Sequence, residues 1–244
     1  MTPSSNLRHL VSLPREELVE FVKENVRHLL EDEALAVLDN PYVTPLICQQ
    51  IAQNQRLTGF YSVRLKLVVN RHTPQAHAVK FVHYLFWSDL VRISVDMKVS
   101  APVRRAIDTI LVNKIDKLTL GERITIAKRC SHALIKELLF DADPKVFESL
   151  LVNQRVREDD LLLVAGSDRA SAAQLLLLAN DPKWSYRYPI RKALVMNPRT
   201  PRSAAASLLR SLTPRDLRLI HRNPHTTVYV RRCIERLQPA VYNP

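Results

Sequence analysis

The chain has 244 residues, 46% of them hydrophobic and 25% charged, and 36 Lys plus Arg against 24 Asp plus Glu leave a formal charge of +12. That composition is too apolar for a disordered chain, and the length suits one large domain or two small ones. The three glycines, Gly59, Gly121 and Gly166, are isolated, which excludes a P-loop, a dinucleotide fingerprint and a nucleophile elbow and argues against a turn-rich β protein.

Residues 1–13 lack a clear apolar period and are expected to be flexible. After Pro14, the run REELVEFVKENVRHLL places Leu18, Phe21, Val22, Val26, Leu29 and Leu30 on one stripe, predicting a helix over 14–30. Residues 14–37 are read as N-terminal capping helices that cover the first apolar face of an array over 38–237, with a tail at 238–244. Thr44-Pro45, Thr73-Pro74, Thr200-Pro201 and Thr213-Pro214 each read as an N-cap followed by proline at the first helical position. Proline's missing N–H costs nothing there. Asp143-Pro144 and Asp181-Pro182 carry the same chemistry with a carboxylate, the second suiting a turn as well. Thr119 and Glu122 form a capping box. The acidic runs 31–33 and 158–160 belong in first turns, where carboxylates complement the helix dipole.

These signals repeat. LKLVVNRHTPQAHAVKFV (65–82) aligns with KALVMNPRTPRSAAASLL (192–209), and variants surround Asn40, Asn153 and Asn223. The spacing of Asn40, Asn70, Asn153, Asn197 and Asn223 is compatible with a unit of about 20–30 residues, the range of solenoid repeats. Each Asn is expected to close a helix in the left-handed conformation. Helices this short need neighbours on both sides, which predicts an all-α chain of stacked units, a right-handed α-solenoid of short helical repeats.

The N-P-x-T-P turns, the segment 118–153 and DPKWSYRYPIRKALVMNPRTP (181–201) resemble bacterial HEAT-like or leucine-rich-variant repeat proteins over about residues 38–237. The resemblance implies an armadillo-type fold, and its motifs are specific for the fold rather than for function. The leucine-rich-variant type can carry a cysteine-ligated iron–sulfur cluster ahead of its repeats. This chain has no N-terminal cysteine cluster, so no cofactor is carried over.

From Lys183 to the end there are 13 Lys plus Arg and two acids, Asp216 and Glu235, while the first 182 residues balance to +1. The basic segment 183–236 is therefore expected to form one positive surface. The binding residues read from it are Trp184, Arg187, Tyr188, Arg191, Lys192, Arg218, Arg222, Arg231 and Arg232. Their guanidiniums suit carboxylate or phosphate, and their aromatic rings suit stacking or packing. The expected partner is anionic: an acidic protein first, nucleic acid second, an anionic membrane surface third.

No catalytic or metal-binding constellation emerges. His77 and His83 are six apart, off a shared helix face, and His28 with Glu31 is a single pair. Adjacent helical residues point apart, so Cys130 and His132 make no dyad. Cys48, Cys130 and Cys233 offer neither a CxxC pair nor a disulfide framework. With no h-region and no apolar run near the span of about 20 residues, the expected location is the cytoplasm. The reading is a non-enzymatic scaffold. The alternative is a nucleic-acid-binding protein, including the HEAT-like DNA glycosylase type, for which Trp184, Tyr188 and Asp181 would be the residues of interest.

Overall fold

Helices of this length cannot hold themselves in water, so the fold is decided by which apolar flanks meet. The computed structural model describes residues 3–242. Among these, every regular element is helical, and the longest α-helix, Ala101–Lys114, has 14 residues. The chain divides into two compact units, Met1–Asp116 and Lys117–Pro244. That division falls inside the stretch 38–237 read from the sequence as one array.

The first unit holds α1 (Pro3–Ser12), α2 (Arg15–Asn25), α3 (Glu31–Asp39), α4 (Pro45–Gln53), α5 (Tyr61–Val69), α6 (Gln75–Val82), α7 (Trp87–Ser94) and α8 (Ala101–Lys114). The second holds α9 (Leu120–Ala127), α10 (His132–Leu138), α11 (Pro144–Leu151), α12 (Glu158–Gly166), α13 (Ala172–Asn180), α14 (Tyr188–Met196), α15 (Arg202–Leu209), α16 (Pro214–Arg222), α17 (Val228–Leu237) and α18 (Pro239–Tyr242). In both units a helix packs on the next one and on the next but one. In the second unit α9, α11, α13, α15 and α17 follow one another as a row. A second row of α10, α12, α14 and α16 is joined by packing of α12 on α14, by His132 facing Asp160, and by Lys192 bonded to Asp216. The core lies between the rows and includes Leu134, Phe147, Leu161, Leu175, Leu194 and Leu209, all fully buried.

The recurring asparagines hold successive helices together. Asn40 Nδ2 donates to the carbonyls of Leu10 and Leu13, Asn54 to Val26, Asn70 to Leu38, Asn153 to Ala127, and Asn197 to Ala165 and Ser167. The same side chains accept, through Oδ1, the N–H two residues on. Each Asn thus closes its own turn and satisfies carbonyls left open at the end of an earlier helix. The expected left-handed conformation is not adopted. Asn40 has φ −64° and ψ 129°, Asn197 has φ −77° and ψ 119°, and no described residue has positive φ. An extended backbone is what lets the side chain reach back to the earlier helix.

The capping devices divide into two kinds. Thr44, Thr119, Asp143 and Thr213 cap as expected, each accepting a first-turn N–H. At Thr73 and Thr200 the helix starts later: Pro74 and Pro201 occupy the N-cap itself, with ψ 131° and 138°. Thr200 instead donates back to the Leu194 carbonyl at 2.6 Å. Asp181 serves the turn, accepting from the N–H groups of Lys183 and Trp184.

The N-terminal expectation needs correction. Pro3–Ser12 is a helix packed on α3, with Leu10 buried, and only residues 1–2 lie outside the described residues. Its anchor is long-range: Asn40 fastens the carbonyls of Leu10 and Leu13. The helix expected over 14–30 ends at Asn25, whose side chain bonds back to the Phe21 carbonyl, and Leu30 is left 63% exposed at the N-cap of α3. Pro239–Tyr242 is likewise helical, and Tyr242 lies against His221 with ring centroids 4.2 Å apart.

Candidate binding surface

The basic segment builds α14 to α17, and its residues have different fates. Trp184 is 4% exposed, donates from Nε1 to the Leu151 carbonyl at 3.2 Å, and is a packing residue. The large indole fills the gap between turns, with Lys183 Nζ over its ring at 4.2 Å, so it offers a ligand no free face. Tyr188 and Lys192, on α14, are held by Asp216, the third residue of α16. The phenol donates to the carboxylate and accepts the Thr213 N–H, and Lys192 Nζ sits 2.8 Å from Oδ1. The Lys192 ammonium, then the Tyr188 hydroxyl, hold the Asp216 carboxyl below its ordinary range. Arg191 lies over the Tyr188 ring at 5.7 Å and donates to the Tyr186 carbonyl. Arg231 spans the carbonyls of Asn223 and Pro224. These side chains tie the helices and their turns together, and their charge is largely committed to those bonds.

The remaining predicted residues face solvent. Arg187 is exposed and 3.9 Å from Glu158, a distant pair, while Arg218, Arg222 and Arg232 are exposed. The structure adds Arg215, which the sequence reading left out. Arg215, Arg218, Leu219 and Arg222 are all exposed and follow the i, i+3, i+4, i+7 spacing of one helix face, opposite the buried Leu217 and Ile220. Leu219 is 53% exposed. On the other row, Arg202 on α15, Arg210 at its C-cap, and Arg232 and Arg236 on α17 are exposed. Exposed cations therefore occupy both rows, and the densest set is the α16 stripe.

The first unit provides an internal control. Tyr61 on α5 contacts Asp89 and the Phe86 N–H on α7, as Tyr188 contacts Asp216 and the Thr213 N–H, each pair shifted by 127 residues. Arg64 donates to the Gly59 carbonyl as Arg191 does to Tyr186. At the positions matching Arg215, Arg218, Leu219 and Arg222, however, α7 has Ser88, Val91, Arg92 and Val95. The chain folds here without arginine at the positions matching Arg215, Arg218 and Arg222, so the shared packing geometry does not require them.

The residues of the glycosylase alternative do not converge: Asp181 closes a turn, Trp184 is buried, and Tyr188 serves Asp216. Cys130 faces the Ala127 carbonyl and Asn153, whereas His132 faces Asp160. Among the described residues no three metal-ligating side chains come together, and no helix is long and apolar enough to cross a membrane. Comparison with protein-family models, with curated proteins and with solved structures gives no match.

Proposed function

We propose that the chain is a non-enzymatic scaffold, a right-handed α-solenoid of HEAT-like repeats of the bacterial kind, whose basic C-terminal surface holds an acidic protein segment. The stacking of each helix on the next but one and the asparagines that fasten each repeat to an earlier one support the repeat reading. One observation carries the partner class. The exposed stripe on α16 sets an apolar side chain, Leu219, among three arginines. An acidic amphipathic segment satisfies both chemistries, whereas a phosphate backbone leaves Leu219 without a complement. Cys48, Cys130 and Cys233 form no disulfide among the described residues, and the first two are buried, which fits the reducing cytoplasm.

A second reading, nucleic-acid binding, has its own support in Tyr186, which is 80% exposed in an open groove shared with Lys183 and Arg187. Fluorescence anisotropy with labelled poly-glutamate, single-stranded DNA and duplex DNA separates the two. The scaffold reading expects poly-glutamate to bind at low salt and to lose at least about tenfold in affinity on Arg215→Glu/Arg218→Glu/Arg222→Glu. DNA bound more tightly, with a log-linear salt dependence and the same sensitivity to the triple change, would replace it with the second reading.

A further inference from the structure

The counterpart of the arginine stripe lies in the first unit. On α2, Glu16, Glu17, Glu20 and Glu24 are exposed, and their spacing places them within about 100° of arc, opposite the buried Leu18 and Val22. No ion pair neutralises them among the described residues. The surroundings share the sign: over residues 15–39, eight carboxylates face three Lys plus Arg.

We propose that the acidic protein gripped by the α16 stripe is a second copy of this chain, through its α2 face. The inference rests on the scaffold reading and supplies its partner. Both sides of the contact are charged faces of single helices, opposite in sign and alike in length, and the half-buried Phe21 at the edge of the acidic face gives Leu219 its apolar complement. Glu16 to Glu24 spans about 12 Å along its axis and Arg215 to Arg222 about 10 Å. Three guanidiniums can therefore meet the carboxylates in one register with bidentate geometry. Neither face can pair with its own copy, because like charges would be opposed, so the contact joins two different patches. It also relieves the self-repulsion of the cationic segment, which holds too few acids to neutralise itself.

Sedimentation velocity of the full chain tests this at about 20 mM and about 500 mM salt, where screening lengths differ severalfold. Wild type is expected to associate at low salt and to sediment as monomer at high salt. Glu17→Lys/Glu20→Lys/Glu24→Lys, which keeps Glu16 in the first turn, and Arg215→Glu/Arg218→Glu/Arg222→Glu should each be monomeric at low salt, with unchanged circular dichroism. Mixing the two variants restores complementary faces, so a complex should reappear, and a chain carrying both changes should again self-associate. Wild type that is monomeric at low salt yet still binds poly-glutamate overturns self-association alone. Wild type that is monomeric and ignores poly-glutamate overturns the scaffold reading with it. Association that survives both reversals also overturns the proposed contact.

Discussion

Asn197 Nδ2 lies 2.8 Å from the carbonyl oxygen of Ala165, 32 residues earlier, while its Oδ1 accepts the Arg199 N–H at 2.9 Å. One buried side chain thus ends its own helix and ties it to the end of the previous one in its row. The same arrangement at Asn40, Asn54, Asn70 and Asn153 makes neighbouring helices interdependent.

Replacing this side chain should cost more than a surface cap. Asn197→Ala leaves two carbonyls and one N–H without their partner and should destabilise the protein by about 2–4 kcal/mol in urea unfolding. Asn197→Asp keeps the acceptor but loses the donor and sets a carboxylate against two carbonyls. It should therefore be at least as damaging at neutral pH and partly relieved in acid, where the protonated carboxyl can donate. Equal stability of wild type and Asn197→Asp at pH 7 would remove the stapling role.

Trp184 is expected to affect stability more than binding. Trp184→Phe should lose about 1–2 kcal/mol with the hydrogen bond to Leu151, and Trp184→Ala about 3–5 kcal/mol. Both should leave poly-glutamate affinity unchanged at temperatures where they remain folded. A loss of affinity in folded Trp184→Phe would return this residue to the binding surface.

Asp216 ties α14 to α16, and its pH signature has a definite sign. The folded carboxyl titrates below its unfolded counterpart, so its contribution is present above the ordinary Asp value of about 3.9 and fades as pH falls through the lower folded value. The stability gap between wild type and Asp216→Asn, followed by urea unfolding, should be constant near neutrality and close in acid. A gap that widened in acid would contradict the assignment.

The thiols should report local order. Burial pushes Cys48 up to about 11, so it stays protonated at neutral pH, and Cys130 is fully buried. Cys233 is half-exposed. A thiol reagent should therefore label Cys233 first in the native protein, and the other two only as denaturant opens the units. Rapid native labelling of Cys48 would show that α4 is not packed as described.

Local chemistry made much of this fold legible. Thr44, Thr119, Asp143 and Thr213 announce their helices through neighbours within three residues, and the aligned segments 65–82 and 192–209 do adopt matching turns. What depends on distant residues was not legible. Nothing in the first 13 residues foretells that Asn40 will fasten Leu10 and Leu13, and the Asn dihedrals follow from a reach to an earlier helix rather than from intrinsic turn preference. The candidate surface shows the same division. The arginine excess is plain in composition, but which cations are committed depends on Asp216 and on carbonyls of the preceding turns. The spacing of Arg215, Arg218 and Arg222 did hold a usable signal, since it places three guanidiniums on one helix face.

The apolar residue within that stripe provides the most direct test of what the surface grips. Leu219→Lys adds charge and removes the apolar contact, so the two partner classes respond in opposite directions. For an acidic amphipathic helical peptide, anisotropy at about 100 mM salt should show affinity falling severalfold in the variant, while any DNA affinity rises. Tighter binding of the peptide in Leu219→Lys would mean that charge alone governs the surface, and would contradict the claim that it is built for a protein.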